Sequence, residues 1–535
     1  MMIDNIAYAC LTKQCEKGFG EREVLRWINN DLSEESLSFN YFETESNEIA
    51  NVLHKLGIQV GDSVGIFLPR SPILISSFFG IQKIQALSCI LFSTLGEEAL
   101  LDRLDNSSAK IVITKKSLLR KILSIREQLP NLKAILIIDL EEHQSQDVLS
   151  LKKLMAGEEK SFRYPHYLDP ETPAFLQYTS GSTGKPKGAV HVHGALTDMQ
   201  QPFHEIMRVQ QDDVYWCTAD PAWITGLVYG IIVPFSTSTN QIQFGGTYHA
   251  EKWLTILEQQ HVNIWYTAPT ALRMLMQEIE STFDQYNFSS LKRIYSVGEP
   301  LNPEIYYWGK KTFRTEIYDN WFQTETGSIM IANKPGLPVK PGSMGIPRSG
   351  IEILICNDEM ESVPSGTQGY LTVRKGWGSM FRNYFRKTVE YQEKFREDIY
   401  ITGDLAKQDQ DGYVWYVSRS DDVINTAGHL VGPFEVESVL LEIDEIVDVA
   451  VIGVPDPLLH QKIIAFVTLR NGEHWSKELD LKCRIQVSNK VSSVASPAEI
   501  RIIDKIPKNQ SGKILRRVLK AQYEGKDAGD LSTME

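Results

Sequence analysis

The sequence predicts an α/β protein with a large N-terminal domain, made of two parallel-rich α/β subdomains plus a β-rich subdomain, and a small α+β C-terminal domain. Three observations lead to this prediction. The chain has 535 residues, several times the length of a typical domain. Strand-like apolar runs alternate with helical segments up to about residue 330. Turn-rich β segments follow, and a new unit begins near residue 420.

The first region contains apolar runs that end in glycine, proline, serine or threonine. We read the following runs as strands: SVGIFL, ILISSFFGIQKIQAL, KIVIT, AILIID, PAFLQYT, VNIWYTAP and RIYSVGEP. Helical segments between such runs favour parallel strands, whose carboxyl ends meet at one edge of the sheet and bind ligands. We therefore expect the loops at 179–188 and 297–300 to converge.

The second half of the chain changes character twice. KPGSMGIP, EILICND, GYLTVRKG and GYVWYV predict a β-rich subdomain. Near SRSDDVINTAGHLVGPFEVES, charged turn residues and glycines precede a helix that opens at Pro433. The strands DVAVIGV and IIAFVTL, a helix and a basic tail complete a small α+β unit. We therefore expect one domain at 1–420 and a second at 421–535.

Composition and charge exclude several classes of function. Lysine and arginine number 55 against 68 acidic residues, and the net charge of −13 disfavours binding to nucleic acid or to anionic membranes. The apolar segment GLVYGIIVPF is shorter than a membrane span of about 20 residues, and the N-terminus lacks a signal-peptide pattern. The six cysteines lack Cys-x-x-Cys spacing. We expect a cytoplasmic protein with reduced thiols, without zinc or disulfides.

The most informative local segment is YTSGSTGKPKG at 178–188. By composition alone, such a segment is more often a solvated linker than a binding site. Its place between the strand AFLQYT and the apolar AVHVHGAL favours a binding site, because glycine backbone, hydroxyls and lysines can surround a phosphate. Pro186 occupies the position where a Walker A loop requires its second glycine, so a P-loop NTPase is disfavoured.

This segment resembles the phosphate-binding motif of the acyl-adenylate-forming superfamily of acyl-CoA synthetases, luciferases and peptide-synthetase adenylation domains. Further motifs of that superfamily follow in the same order: SVGEP, YDNWFQTETG, YITGD, SRSDDVINTAGH and PKNQSGK. Within the superfamily, the segments ADPAWITG, WYTAPTALRMLM, SVGEPLNPE, VGPFEVES and AGDLSTME resemble the short bacterial AMP-forming acetyl-CoA synthetases. The resemblance spans nearly the whole chain.

The resemblance implies a two-step reaction that uses ATP, Mg²⁺ and CoA. Acetate first attacks the α-phosphate of ATP and releases pyrophosphate, and the acetyl-adenylate then transfers its acetyl group to CoA. The reverse, ATP-forming direction stays open. Because the first step brings two anions together, cations and backbone donors must offset their repulsion. The resemblance implies that Thr324 binds the α-phosphate, that Glu325 coordinates Mg²⁺ and that Lys513 is the catalytic lysine.

The resemblance also assigns nucleotide-binding residues. The segment at 179–188 holds the terminal phosphates, the segment at 298–300 packs on adenine, and Asp404 with Arg419 binds the ribose hydroxyls. The full predicted set is Thr179, Ser180, Gly181, Ser182, Thr183, Gly184, Lys185, Lys187, Gly298, Glu299, Pro300, Asp319, Asn320, Trp321, Gln323, Thr324, Asp404 and Arg419.

Lys513 lies in the small C-terminal domain, so the resemblance implies that this domain is mobile, closing for adenylation and rotating for thiol transfer. Asp421 is the expected hinge. Trp223, Ala427 and Gly428 are expected along the path of the CoA pantetheine arm, where a glycine leaves room for the chain.

Two positions depart from the family pattern. The acyl pocket is expected at Ile224, Thr225, Val297 and Phe322. Acetate enzymes usually carry tryptophan at the last of these positions, so Phe322 favours acetate and leaves propionate open. Leu430 stands where the family usually has an arginine that faces phosphate, and Lys185 and Lys187 are expected to carry more of the positive charge.

Alternatives to an acetate:CoA ligase remain open on the sequence alone. They are a ligase for propionate or another short acid, an adenylation module that loads a carrier-protein thiol, and a noncatalytic nucleotide sensor. The absence of a carrier domain disfavours the second, and intact Glu325 and Lys513 disfavour the third. We expect a monomer or small homo-oligomer, with a lysine acetyltransferase and deacetylase as partners at Lys513.

Overall fold

The computed structural model describes residues 2–179, 186–278, 283–427, 429–508, 513–526 and 528. Across these residues the architecture is mixed α/β, with a separate C-terminal domain, as the sequence predicts. No described helix is both long and apolar enough to cross a bilayer.

The first α/β subdomain has a central sheet whose described strands number eight. In spatial order they are Asn383–Tyr384, Lys187–Val192, Pro173–Thr179, Leu87–Leu91, Ser63–Phe67, Ile111–Thr114, Ala134–Ile137 and Val148–Ser150. The strands from Pro173–Thr179 to Val148–Ser150 pair in parallel, and the other two are antiparallel. The glycine-rich segment therefore joins two adjacent antiparallel strands.

The second α/β subdomain has a sheet with nine described strands. In order they are Ile346–Pro347, Ile331–Ala332, Ile317–Trp321, Arg293–Ser296, Ile264–Thr267, Val214–Cys217, Asn240–Phe244, Glu23–Ile28 and Glu34–Ser38. The strands from Ile317–Trp321 to Glu23–Ile28 are parallel, so the loops after Ser296 and Trp321 leave the same edge of the sheet.

Helices pack between and around these sheets. They are Phe39–Lys55, Pro72–Lys83, Glu97–Ser107, Lys116–Leu123, Leu151–Met155, Leu196–Glu205, Ile224–Leu227, Val233–Ser236, Ala250–Gln259, Pro269–Glu278, Pro303–Phe313 and Thr388–Gln392. One buried cluster contains Phe39, Phe79 and Phe175 together with Phe235 and Tyr266. Because these residues come from both subdomains, the two subdomains share one hydrophobic core.

The prediction of a strand in the run ILISSFFGIQKIQAL is wrong for most of its length. The structure forms the helix Pro72–Lys83 there, and the strand Leu87–Leu91 follows it. Every residue from Leu74 to Lys83 is buried. A helix that is covered on all sides is apolar on all sides, so its sequence lacks the period that distinguishes it from a buried strand.

The β-rich subdomain is an antiparallel sheet with its own core. Its described strands are Ile353–Cys356, Gly369–Arg374, Ile399–Gln408, Phe395–Arg396 and Val414–Arg419. Phe381, Tyr384, Phe395 and Tyr400 pack their rings together inside it, with centroids 4.9–6.2 Å apart. This cluster lies beneath the strand that carries Asp404.

The C-terminal domain is built around a separate sheet. Its strands are His429–Val431, Ile424–Thr426, His460–Leu469, Ile446–Asp456 and Glu499–Ile502, and its helices are Pro433–Leu441, Lys477–Lys490 and Arg516–Glu524. The helix at Pro433 and both predicted strands are confirmed. Two buried clusters in this domain contain only residues from Ile424 onward, so its core is independent of the N-terminal domain.

Candidate active site

Thr324 lies on a loop that follows the strand Ile317–Trp321. Its carbonyl oxygen is 2.8 Å from Nε2 of His191, which belongs to the strand Lys187–Val192 in the sheet of the first subdomain. A carbonyl oxygen only accepts, so Nε2 must carry the proton. Burial lowers the pKa of His191 to about 4, which keeps the ring neutral near pH 7. A neutral donor from the first subdomain therefore fixes the backbone at Thr324.

Glu325 is held by Phe381 and Tyr384, whose rings belong to the core of the β-rich subdomain. The backbone N–H of Phe381 donates to the Glu325 carbonyl oxygen at 2.9 Å, and the hydroxyl of Tyr384 donates to Oε1 at 2.6 Å. Burial, and next the charge of Glu325, raise the pKa of Tyr384, so this hydroxyl keeps its proton. No other described residue forms a hydrogen bond or ion pair with Oε2, which leaves one carboxylate oxygen available to a ligand.

Asp404 is the centre of a hydrogen-bond network that joins four of the predicted residues. Its Oδ2 accepts from Trp321 Nε1 at 3.0 Å and from Gln323 Nε2 at 2.9 Å. Its Oδ1 pairs with NH1 of Arg419 at 3.0 Å. Asp404 is buried, and all three partners come from other strands or loops. The structure thus brings the YDNWFQTETG, YITGD and SRSDD motifs to one place.

Lys513 reaches this network from the C-terminal domain. Its pKa is lowered, first because the surrounding protein displaces water and next because of the charge of Arg419, while Asp404 has the opposite effect. Lys513 is exposed to solvent, and the charges of Asp404 and Arg419 both act on it. The predicted catalytic lysine and the predicted ribose-binding pair are therefore neighbours, although they belong to different domains.

The ends of the glycine-rich segment also lie at the site. Thr179 and Lys187 face each other across the two strands, and Nζ of Lys187 is 5.5 Å from the ring centroid of Tyr384. The ring that holds Glu325 is thus next to the end of the predicted phosphate loop. Ser180, Gly181, Ser182, Thr183, Gly184 and Lys185 lie outside the described residues.

The predicted adenine segment lies at the same edge of the sheet. Gly298 has φ of +99°, a conformation that favours glycine, and Oε1 of Glu299 accepts from the Thr270 N–H at 2.5 Å. Pro300 is half-buried at the end of the segment. Asn320 is buried, and its amide donates to the Ser296 carbonyl at 2.8 Å.

The side chains of Asp319 and Asn320 form hydrogen bonds with other groups of the protein. Asn320 Oδ1 accepts from the Tyr266 hydroxyl at 2.9 Å. Burial raises the pKa of Asp319, whereas hydrogen bonds from Ser296 and Leu301 act to lower it. A direct contact of these two side chains with nucleotide therefore stays a prediction.

The predicted acyl-pocket residues lie in or beside the core that the two α/β subdomains share. Ile224 and Val297 belong to the core that the two α/β subdomains share, and Phe322 packs against it. Thr225 is buried beside Ile224 at the start of a short helix. The rings of Phe322 and Tyr229 meet edge to face, with centroids 5.7 Å apart. The four predicted side chains are apolar apart from the Thr225 hydroxyl, which suits a small acyl group.

The residues predicted for CoA lie on both domains. The Trp223 ring packs against Phe92 at 4.9 Å in the N-terminal domain. Ala427 of the C-terminal domain has φ of +50°, and its N–H donates to the Leu459 carbonyl at 2.8 Å. Gly428 lies outside the described residues. Leu430 is 55% exposed.

The predicted hinge residue lies between the domains. Asp421 is exposed, and its Oδ1 is 3.6 Å from Nε of Arg419. It sits between the last strand of the β-rich subdomain and the first strand of the C-terminal sheet.

Several supporting residues were missed in the sequence. Oδ2 of Asp198 is 2.6 Å from the hydroxyl of Ser379, which is also 2.7 Å from the Thr326 carbonyl. Oδ1 of Asp198 pairs with NH2 of Arg348 at 2.7 Å, and Nε of Arg348 donates to the Ile329 carbonyl. This buried ion pair holds the loop after Glu325. No motif marks these residues, nor His191 and Tyr384, so only their spatial proximity could identify them.

Comparison with known proteins identifies the family. The AMP-binding enzyme model matches residues 11–385, and the model of the AMP-binding enzyme C-terminal domain matches 435–513. The chain belongs to the AMP-binding enzyme family. Among its relatives in this family is an acetyl-coenzyme A synthetase of Bacillus subtilis (strain 168), 41% identical over 99% of this chain and 92% of that protein. Another, from Rubrobacter xylanophilus, is 34% identical over 99% of this chain and 86% of that protein.

Solved structures of AMP-binding enzymes share the fold. The anthranilate CoA ligase AuaEII, solved with anthranoyl-AMP, has a TM-score of 0.89 and 26% identity over 98% of both chains. An acyl-CoA synthetase of Brucella canis has a TM-score of 0.76 and 29% identity over 98% of this chain and 95% of that chain. The resemblance drawn from the motifs is therefore confirmed.

Proposed function

We propose that this protein is an AMP-forming acetate:CoA ligase, which converts acetate, ATP and CoA into acetyl-CoA, AMP and pyrophosphate. The hydrogen-bond network around Asp404, which joins Trp321, Gln323 and Arg419, carries the proposal, and the charges of Asp404 and Arg419 that act on Lys513 support it. Two acetyl-coenzyme A synthetases at 41% and 34% identity over 99% of the chain support acetate as the acid.

In the first half-reaction, a carboxylate oxygen of acetate forms a bond to the α-phosphorus, and the bond to the β-phosphate breaks as pyrophosphate leaves. Thr324, held by His191, offers its hydroxyl to the α-phosphate, and Lys513 offsets the charge of the approaching anions. At 4 Å, two unit charges repel by about 1 kcal/mol in water and by about four times as much near a protein surface. Fixed donors and an added cation therefore lower this barrier.

The residues present fit a Mg²⁺ ion that is bound mainly through the nucleotide. Glu325 keeps one carboxylate oxygen without a protein partner, and carboxylate oxygen is a preferred ligand of Mg²⁺. The structure has no cluster of three metal-binding side chains among the residues it describes. Glu325 would hold the ion, which supplies charge neutralisation at the phosphates.

In the second half-reaction, the CoA thiol gives up its proton, its sulfur bonds to the acetyl carbon, and AMP leaves as the bond from that carbon to the phosphate oxygen breaks. We propose that the C-terminal domain, residues 421–535, rotates about Asp421 to bring Ala427 and Gly428 to the cleft. Support comes from the independent core of this domain and from the position of Asp421 between the two final sheets.

Three further features belong to this proposal. We propose that the protein works in the cytoplasm, as a monomer or a small homo-oligomer. An acetyltransferase and a deacetylase would regulate it by modifying Lys513, whose side chain solvent reaches. Acetylation would remove the positive charge that adenylation requires.

The testing experiment measures pyrophosphate release with a panel of acids, with and without CoA. We expect release that depends on acetate, weaker release with propionate and little with longer acids. Without CoA the release should stop after one burst, because the adenylate stays bound. Pyrophosphate release that is independent of any acid would contradict adenylation.

The variant Phe322→Gly tests the acyl pocket in the same assay. Removing the ring that packs on Tyr229 opens the pocket, so we expect its preference to move to longer acids by about 10-fold or more in kcat/KM. The matched control is Phe92→Leu, since Phe92 packs on Trp223 rather than on this pocket. Unchanged chain-length preference in Phe322→Gly would contradict the pocket assignment.

A further inference from the structure

Two buried tyrosines of the β-rich subdomain donate hydrogen bonds to residues of the active-site loop. The rings of Tyr384 and Tyr400 both belong to the core of this subdomain. The Tyr384 hydroxyl holds Glu325, whereas the Tyr400 hydroxyl donates to Oε1 of Gln323 at 2.9 Å. Tyr384 thus supports the predicted ligand of Mg²⁺, and Tyr400 contacts a residue that bonds to Asp404.

The side-chain amide of Gln323 is held in one orientation. Its Nε2 donates to the Thr402 carbonyl at 3.1 Å and to Oδ2 of Asp404 at 2.9 Å. A carbonyl oxygen only accepts, so the amide nitrogen must face Thr402 and the amide oxygen must face Tyr400. Since an amide oxygen also only accepts, the Tyr400 hydroxyl must be the donor. Turning the amide over would break all three hydrogen bonds.

The hydroxyl of Tyr400 is a fixed donor. The residue is fully buried, and its ring centroid lies 5.5 Å from that of Phe395 and 5.9 Å from that of Trp377. Burial, and next the charge of Glu325, raise the pKa of Tyr400 well above its usual value, so the hydroxyl keeps its proton. The packed ring therefore presents one hydroxyl proton to Gln323 at a defined position.

The two oxygens of the Asp404 carboxylate have different partners. Oδ2 accepts from Trp321 and Gln323, whereas Oδ1 has NH1 of Arg419 as its one donor among the described residues. A carboxylate oxygen can accept about two hydrogen bonds, so Oδ1 can take a further donor. A ribose hydroxyl is a donor of this kind. The bond from Gln323 to Oδ2 keeps the carboxylate turned so that Oδ1 stays in place.

We propose that Tyr400 is a positioning residue for the recognition of ribose. Its hydroxyl fixes the Gln323 amide, and this amide fixes the Asp404 carboxylate, whose Oδ1 accepts from a ribose hydroxyl. The inference rests on the proposed function and on the ribose role that the family resemblance implies for Asp404 and Arg419. Two tyrosines of one aromatic core then have separate tasks, because Tyr384 acts at the phosphates and Tyr400 acts at the sugar.

The test compares the binding of ATP with that of dideoxy-ATP, which lacks both ribose hydroxyls. Calorimetry at fixed Mg²⁺, without acid or CoA, measures both Kd values. Tyr400→Phe should raise the Kd of ATP about 10-fold, because it leaves the buried amide of Gln323 without a donor. It should change the Kd of dideoxy-ATP less than about 2-fold, since this nucleotide offers no hydroxyl to Asp404. The control is Tyr391→Phe, whose ring packs in the same core and whose hydroxyl no described residue bonds.

A double-mutant cycle tests whether Tyr400 acts through Gln323. Gln323→Leu removes the amide and should also raise the Kd of ATP about 10-fold. Adding Tyr400→Phe to this variant should then change the Kd less than about 2-fold, because the connection to Asp404 is already broken. Losses that multiply in the double variant would show that Tyr400 acts independently of Gln323, and would overturn the proposal.

Two further outcomes would overturn the proposal. One is an unchanged Kd of ATP in Tyr400→Phe. The other is an equal loss of ATP and dideoxy-ATP binding with a lower Tm, which would indicate a purely structural role. Because the binding assay contains no acid, it is independent of the acid substrate. A selective loss of ATP binding beside an absence of acetate-dependent pyrophosphate release would support the role of Tyr400 and contradict the proposed function.

Discussion

The two sides of the active-site cleft are built differently. On the N-terminal side, the loop with Thr324 and Glu325 is fixed by hydrogen bonds from His191, Phe381 and Tyr384 at 2.6–2.9 Å. On the C-terminal side, Lys513 is exposed and belongs to a domain that has its own core. One side is held by hydrogen bonds within the N-terminal domain, whereas the other comes from a separate domain.

Several contacts between the two domains are polar, and one is aromatic, since the rings of Tyr416 and Phe434 meet edge to face with centroids 6.1 Å apart. Gln277 donates to the Val447 carbonyl at 2.6 Å, Lys407 pairs with Glu435 at 2.8 Å, and Asp448 lies 3.8 Å from Arg273. The partly exposed Lys407–Glu435 pair contributes about 0–1 kcal/mol. The loop at Thr324 and Glu325, by contrast, is held by hydrogen bonds within the N-terminal domain. This difference suits an enzyme that changes the orientation of one domain and retains its nucleotide.

The largest expected effect comes from replacing Lys513, on the C-terminal side of the active site. Lys513→Ala should reduce acetate-dependent pyrophosphate release about 10²–10³-fold, because the charge that offsets the two anions is lost. Transfer of the acetyl group from supplied acetyl-adenylate to CoA should change little, since that step uses another orientation of the domain. Both half-reactions are measured separately on the same preparation. Equal losses in both half-reactions would contradict the proposal that Lys513 acts in adenylation and not in transfer to CoA.

An intermediate effect is expected from replacing Tyr384, on the N-terminal side of the active site. Tyr384→Phe removes the hydroxyl that holds Glu325 at 2.6 Å, which should lower kcat/KM for ATP about 10–100-fold and raise the Mg²⁺ concentration required. Tyr391→Phe is the control, because its ring packs in the same cluster and no described residue bonds its hydroxyl. Steady-state kinetics across a Mg²⁺ titration distinguish the two variants. Equal kinetics in both would show that the loop holds its geometry without this bond.

The smallest effect concerns pH at the domain interface. Burial raises the pKa of Glu304 from 4.5 to about 7, while Arg273 and Arg470 oppose the shift. The charges of Arg470, Asp444 and Glu442 also act on Glu304, so this residue lies at the domain interface, where burial favours the protonated carboxyl. The stability that Glu304 gives this orientation is therefore complete below about pH 4.5 and is lost as the pH rises to about 7.

The amide side chain of the variant Glu304→Gln cannot ionise. This variant should therefore keep the stability of the present domain orientation as the pH rises. We expect single-turnover adenylation above pH 7 to be a few-fold faster in this variant than in the parent, and equal near pH 5. Glu316→Gln is the control, because its carboxylate contacts Tyr306 and Lys310 within the N-terminal domain. Parallel pH profiles for Glu304→Gln and the parent would rule out this coupling of pH to orientation.

Much of the site could be predicted because its residues lie in contiguous motifs. Trp321, Gln323, Asp404 and Arg419 were all expected at the site, and the structure joins them in one network. Tyr384 and His191 were missed in the sequence. Tyr384 lies 59 residues from its partner Glu325, and His191 lies 133 residues from its partner Thr324. Single residues at such separations leave no local pattern.

The sequence by itself determined the family, the order of the elements and the reaction class, because motif spacing and apolar period are local properties of the chain. Only the tertiary structure decided that residues 72–83 form a helix, since complete burial removes the period that marks one. It also decided which side chains support Thr324 and Glu325. Hydrogen bonds depend on which segments meet in space, and the meeting of distant segments is a property of the fold.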